Sequence, residues 1–334
     1  MKKTRVTQIL SAMLAAALLV SGCGSAGSGA EDTSPATEEA SGQDQAQTGE
    51  EKTEEADMKD SAAYPLTVTD SVGMEVTIEA EPERVISLTP ANTEILFALG
   101  AGGRVVGRTD YCTYPPEAAE IESIGNYWTP NAELIISKDP DVVFAEYMED
   151  SVRQQIEAAG ASVFLYSANS IEETEEQILL MGEILNLGDE AKALTDSMET
   201  ELQEVQDAVS NVAEPKSLFL DLGDYYSAGP GSLLDDVLNR INVVNIAAEG
   251  GSAWPQMSLE VIVEKNPDIY LSMRPTPEEL KTMTGISSLD CIRNGAIIYI
   301  EENSPDSELI ARPGPRIVEG VRLLAEEIYP DVFQ

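Results

Sequence analysis

The chain has 334 residues, 43% apolar and 24% charged, which is enough for two lobes that each bury a core of their own. Sixty acidic residues against 20 basic ones leave a formal charge of −40, so the basic footprint that nucleic acid binding needs is missing. Histidine is absent, which excludes Ser-His-Asp and Cys-His catalysis, His-ligated zinc and a histidine axial ligand for haem or a corrin.

The N-terminus reads MKKTRVTQILSAMLAAALLVSGC. Lys2, Lys3 and Arg5 precede an apolar run from Ile9 to Val20 that is too short to span a bilayer, so residues 1–22 read as an export signal. LVSGC resembles a bacterial lipobox, which implies cleavage before Cys23, acylation of its thiol and anchoring on the extracytoplasmic face of the cell membrane. Residues 23–63 hold scarcely an apolar side chain larger than alanine and cannot bury enough surface to order themselves. As a disordered acidic tether of about 40 residues they would reach roughly 35 Å.

Ordered structure is predicted from residue 64, in an N-terminal α/β lobe over 64–188. Leu66 to Thr69 and Glu75 to Ile78 alternate as a hairpin around SVG. RVISL is a buried strand, Thr89-Pro90 starts the helix of ANTEILFALG, and Gly100 closes it. RVVGRT, DVVFAE and SVFLY are further strands, alternating with helices at EDSVRQQIEAAG and from Ile171 to Leu187. Residues 189–212 run helical without Gly or Pro and join the halves. A C-terminal α/β lobe over 213–334 repeats the alternation through SLFLDL, SLLDDVLNRI, NVVNI, SLEVIVEKN, DIYLSM, AIIYI and a helix from about Pro315 to Ile328. Such units predict parallel sheets covered by helices. Cys112 and Cys291 lie in different halves, where a bridge would restrain any hinge; free, partly buried thiols are the simpler expectation.

One stretch is written twice. NAELIISKDPDVVFA and SLEVIVEKNPDIYLS align Glu133 with Glu260, Lys138 with Lys265 and Pro140-Asp141 with Pro267-Asp268, and a tryptophan, Trp128 or Trp254, precedes each copy. Both glutamates also suit the first turn of a helix capped by Asn131 or Ser258.

The ordered set TPANTEILFALG, TDYCTYPP, KDPDVVFA, SAGPGSLLDDVL, AWPQMSLE and RPGPRIVEGV resembles the periplasmic binding proteins that deliver vitamin B12, ferric siderophores or haem to ABC importers, and is most similar to the vitamin B12 branch. The resemblance covers Pro65 to Tyr329. It implies a fold of two Rossmann-like lobes with central parallel sheets and one long backbone helix, the class III arrangement. It also implies a monomeric receptor partnered by an ABC permease dimer with its ATPase, with no catalysis and no resident cofactor. Glu133 and Glu260 fall where that family docks on permease arginines. A metal chelate, best a corrinoid, is expected in the inter-lobe cleft, where aromatic faces hold a broad flat ring. Tyr111, Trp128 and Trp254 are the first candidates by resemblance, joined by Tyr147 and Tyr225. Arg274 and Arg312 are the cations expected to reach a phosphate, a propionate or a siderophore. A ferric siderophore or haem as cargo stays open, as does a surface hydrolytic enzyme. For the enzyme, Asp221 and Asp224 in LDLGDYY are the nearest approach to paired carboxylates, and they read better as strand-end polar groups.

Overall fold

The computed structural model describes residues 63–333. The expected signal segment, Cys23 and the tether up to residue 62 lie outside the described residues. Among those described, no helix is long and apolar enough to cross a membrane.

Strands β1 (Leu66–Thr69) and β2 (Glu75–Ile78) turn Val68, Val76 and Ile78 inward and pair antiparallel. The hairpin is moored by a buried ion pair. One Asp70 carboxylate oxygen accepts the Val72 and Met74 amides, and the other accepts Arg153 Nη1 at 3.1 Å. The chain then lays down β3 (Val85–Ser87), α1 (Pro90–Ala98), β4 (Val105–Arg108), α2 (Ala132–Ile136), β5 (Val142–Ala145), α3 (Asp150–Ala158) and β6 (Ser162–Leu165). The four later strands form a parallel sheet in the order β4-β3-β5-β6. Helix α1 begins where Thr89 accepts the Asn92 amide and Pro90 fills the first helical position, and it is left through Gly100 at φ 79°.

Helix α4 (Ile171–Ile184) leads into α5 (Gly188–Val209), which at 22 residues is the long connection expected from the sequence. It stops short of residue 212, where the weak helix formers Ser210 and Asn211 follow. The second lobe comprises β7 (Ser217–Asp221), α6 (Leu233–Arg240), β8 (Val244–Asn245), α7 (Leu259–Lys265), β9 (Ile269–Ser272), α8 (Pro277–Leu280), α9 (Asp290–Asn294), β10 (Ile297–Tyr299), α10 (Pro305–Ala311) and α11 (Ile317–Ile328). Its parallel sheet runs β10-β9-β7-β8. Numbered from each sheet's own first strand, both sheets have the same order, so α2–β5 and α7–β9, the two copies of the repeated stretch, occupy corresponding places. Central strands β3, β5 and β9 are buried throughout, as parallel strands covered on both faces must be.

The core is not divided between the lobes on every side. On one face each sheet has its own cluster, around Ile86, Val143 and Val163 in the first lobe and Phe219, Tyr270 and Ile286 in the second. On the other face a single cluster runs unbroken from Phe144 and Phe164 through Met181, Met198 and Val205 to Leu218, Leu271 and Leu324. Helices α4, α5 and α11 therefore weld the lobes along one edge, leaving a seam on the other. Cys112 and Cys291 are free and buried, and burial pushes the Cys291 thiol up to about 11.

Candidate functional site

Strand ends from both lobes converge on a cavity of about 510 Å³. The first lobe contributes Pro90 after β3, Tyr111 after β4, Trp128 before α2 and Glu146 directly after β5. The second contributes Met273 after β9, Glu302 after β10, Glu308 on α10 and Arg312 beyond it. Carboxyl ends of parallel strands are where open α/β sheets present ligand-binding loops, and here two such sets face each other.

The aromatic wall is built on Trp128. Tyr127 meets it edge to face, with centroids 4.6 Å apart, and donates its hydroxyl to Glu146 at 2.9 Å. Burial, then the Glu146 charge, raise the Tyr127 pKa well above that of an ordinary phenol, so it remains a neutral donor. Trp128 is 74% exposed and Tyr111 52%, so both present free ring faces.

Beside the cavity the lobes are tied by a buried charge cluster. Glu94 of α1 accepts from Arg312 Nη1, from Arg316 Nη2 at 2.7 Å and from Arg316 Nε at 3.0 Å. Arg312 also pairs with Glu308 at 2.9 Å, and the Arg316 guanidinium lies 3.5 Å over the Tyr114 ring. Burial opposes the Arg316 charge, but the Glu94 hydrogen bonds and charge outweigh it and hold the guanidinium above its ordinary value. Gly314 lies beside this cluster, and a Cβ there would come within 3.3 Å of Glu94 Oε2.

Of the residues singled out from sequence, Tyr111, Trp128 and Arg312 line the cavity. Tyr147, Tyr225, Trp254 and Arg274 fall outside that lining. Tyr147 is exposed next to Glu146, and Tyr225 packs on the second lobe's core in a left-handed turn at φ 62°. Trp254, also exposed, stands in the β8–α7 connection as the counterpart of Trp128 in the β4–α2 connection. Arg274 is held by Glu302 at 2.7 Å. Sequence reasoning missed Glu94, Arg316, Glu146 and the α10 residues. For α10 a signal existed, because Ser304 caps it ahead of Pro305.

Asp221 is fully buried, accepting the Tyr270 hydroxyl at 2.6 Å and the Gly223 amide at 2.8 Å, while Asp224 is exposed in the turn beyond. This is a strand-end anchor. Burial raises the Asp221 carboxyl above its ordinary value despite those donors. A raised folded pKa favours folding fully below the ordinary carboxylate range, and that advantage fades as pH climbs through the raised value. Wild type is therefore expected to lose stability relative to Asp221→Asn as pH rises above the ordinary carboxylate range, measured by urea unfolding; parallel curves would contradict it.

The repeated stretch has a structural meaning in both lobes. Asn131 and Ser258 cap α2 and α7, and Glu133 and Glu260 stand exposed in the first turns. Lys138 and Lys265 each pair with a glutamate sixteen residues upstream, Glu122 at 2.5 Å and Glu249 at 2.8 Å. Asp139 and Asn266 take left-handed backbone at φ 49° and 39°, a role short polar side chains tolerate before a proline. Asp141 then accepts the Glu83 and Arg84 amides ahead of β3, and Asp268 the Ser217 amide and hydroxyl at the start of β7. Each aspartate pins a sheet's third strand to its first.

A family model described as periplasmic binding protein matches residues 85–303. The chain belongs to the periplasmic binding protein family. Among its relatives is YvrC of Bacillus subtilis strain 168, named an ABC transporter substrate-binding lipoprotein, 33% identical over 84% of this chain and 92% of YvrC. A cobalamin-binding protein of Halobacterium salinarum strain R1 is 28% identical over 82% of this chain and 77% of its own length. The solved structure of the periplasmic heme-binding protein RhuT from Roseiflexus sp. RS-1 superposes with a TM-score of 0.64 at 25% identity, covering 75% of this chain and 99% of that one. This periplasmic binding protein thus has the role of a substrate-binding component of an ABC transporter, on the two-lobed fold that its own sheets display.

Proposed function

We propose that this periplasmic binding protein is a lipid-anchored, extracytoplasmic receptor that holds a corrinoid in the seam between its lobes and delivers it to an ABC permease dimer with its ATPase. The observation that carries the reading is the cavity between two sets of strand ends, walled by the exposed faces of Trp128 and Tyr111. A corrin ring is broad and mostly apolar, and it is held by aromatic faces with few directed bonds. The relative named as cobalamin-binding and the absence of histidine support a corrinoid over haem. LVSGC ending at Cys23, with a relative named a lipoprotein, supports acylation. Glu133 and Glu260, exposed at matching places on the lobes, are the acids proposed to meet the permease.

The chain has two tryptophans, Trp128 and Trp254, so intrinsic fluorescence reports on both. Titration with cyanocobalamin, haemin and a ferric catecholate is expected to show saturable quenching by the corrinoid at micromolar or lower concentration. Quenching by haemin alone would overturn the cargo. Trp128→Ala is expected to weaken corrinoid binding about tenfold or more, since central aromatic anchors dominate such sites. An unchanged Kd would remove Trp128 from the wall.

A further inference from the structure

We propose that Glu146 makes the cleft select its cargo by charge, favouring a corrinoid that carries net positive charge and no phosphate-bearing arm. The inference rests on the corrinoid reading above and concerns the same cavity.

It follows from how the charges around the cavity are spent. Arg312 is the cation among the lining residues, and both its partners are carboxylates, the buried Glu94 and Glu308. Arg316, behind it, is held by Glu94 and lies against Tyr114. Arg274, outside the lining, is held by the lining residue Glu302. Each of these three guanidinium groups therefore already has an anion, and a phosphate meeting one of them would have to displace it. The carboxylates are not matched in the same way. Glu302 and Glu308 have arginine partners, but Glu146 accepts only from neutral donors, the Tyr127 hydroxyl at 2.9 Å and the Ser167 hydroxyl at 3.3 Å. Its charge faces the cavity beside Trp128 with no cation bonded to it among the described residues.

An uncompensated carboxylate at the edge of an aromatic wall attracts a cationic ring and repels an anionic one. Corrinoids offer a clean comparison. With one cyanide and one water on cobalt, the ring without its nucleotide arm carries a single positive charge; the complete cyano form is neutral, because its phosphodiester cancels that charge.

The test is a fluorescence titration of the full chain with aquacyanocobinamide and cyanocobalamin, at low and high salt, in wild type, Glu146→Gln and an exposed control, Glu264→Gln. The expected result is tighter binding of the cobinamide by about fivefold at low salt, the size of one partly solvated charge contact. That preference should shrink as salt rises and fall close to unity in Glu146→Gln, and it should persist in Glu264→Gln. Equal affinities in wild type, or a preference untouched by Glu146→Gln in a protein that melts like wild type, would overturn the charge role while leaving the corrinoid reading standing. Binding of neither corrinoid would sink both together.

Discussion

Glu94→Ala is expected to lower folding stability by about 3–5 kcal/mol, the range for removing one partner of a buried ion pair. The Glu94 side chain is 3% exposed, against 12% for Arg312 and 17% for Arg316, so the two guanidinium groups would be left partly desolvated and facing each other. Arg312 keeps Glu308, whereas the Arg316 side chain is left with the Tyr114 ring and the more distant charge of Glu319. In thermal unfolding the loss would appear as a fall in Tm of roughly 10 °C for a body of this size. A companion variant separates charge from packing: replacing Glu94, Arg312 and Arg316 together with apolar residues of similar volume should recover most of the loss, because the desolvation penalty disappears along with the attraction. A Glu94→Ala protein that unfolds within 1 kcal/mol of wild type would show that the cluster does not hold the lobes together.

Replacing Glu133 and Glu260 together with lysine is expected to abolish uptake in cells while leaving the corrinoid Kd within about twofold. Both side chains project from first helical turns on corresponding elements, and neither lines the cavity. Lys138 and Lys265, which would otherwise offset them, are already engaged by Glu122 and Glu249. Truncating one partner of a desolvated interfacial charge pair costs about 2–5 kcal/mol, so each single variant should weaken docking at least about thirtyfold, and the double variant far more. Pull-down with the permease and radiolabelled uptake measure the two quantities separately. Wild-type uptake by the double variant would refute the docking role.

The parts of the fold that were legible in sequence were those with a local cause. The hairpin bounds at Leu66–Thr69 and Glu75–Ile78 follow from alternation alone, and Thr89-Pro90 announces α1 by capping chemistry. The repeated stretch was readable as a repeat, but not the reason for it, because Asp141 reaches back to Arg84 and Asp268 to Ser217. The site was only partly legible. The resemblance pointed to Tyr111 and Trp128, which line the cavity, and to Trp254, which does not. Arg312 was readable as a cation in a loop facing the cleft, whereas the partner that absorbs its charge, Glu94, lies 218 residues away and leaves no periodic trace. Short α8, α9 and α10 were unreadable as periodic segments because none spans the two turns that make a periodicity visible.

The unbroken apolar cluster that α4, α5 and α11 share with both sheets bears on how loading can be signalled. A receptor welded along one edge cannot swing wide, so the separation of Glu133 from Glu260 will be much the same whether it is vacant or full. Vacant molecules should then compete for the transporter almost as well as charged ones. Discrimination between them would fall to the importer, by probing what protrudes from the slot.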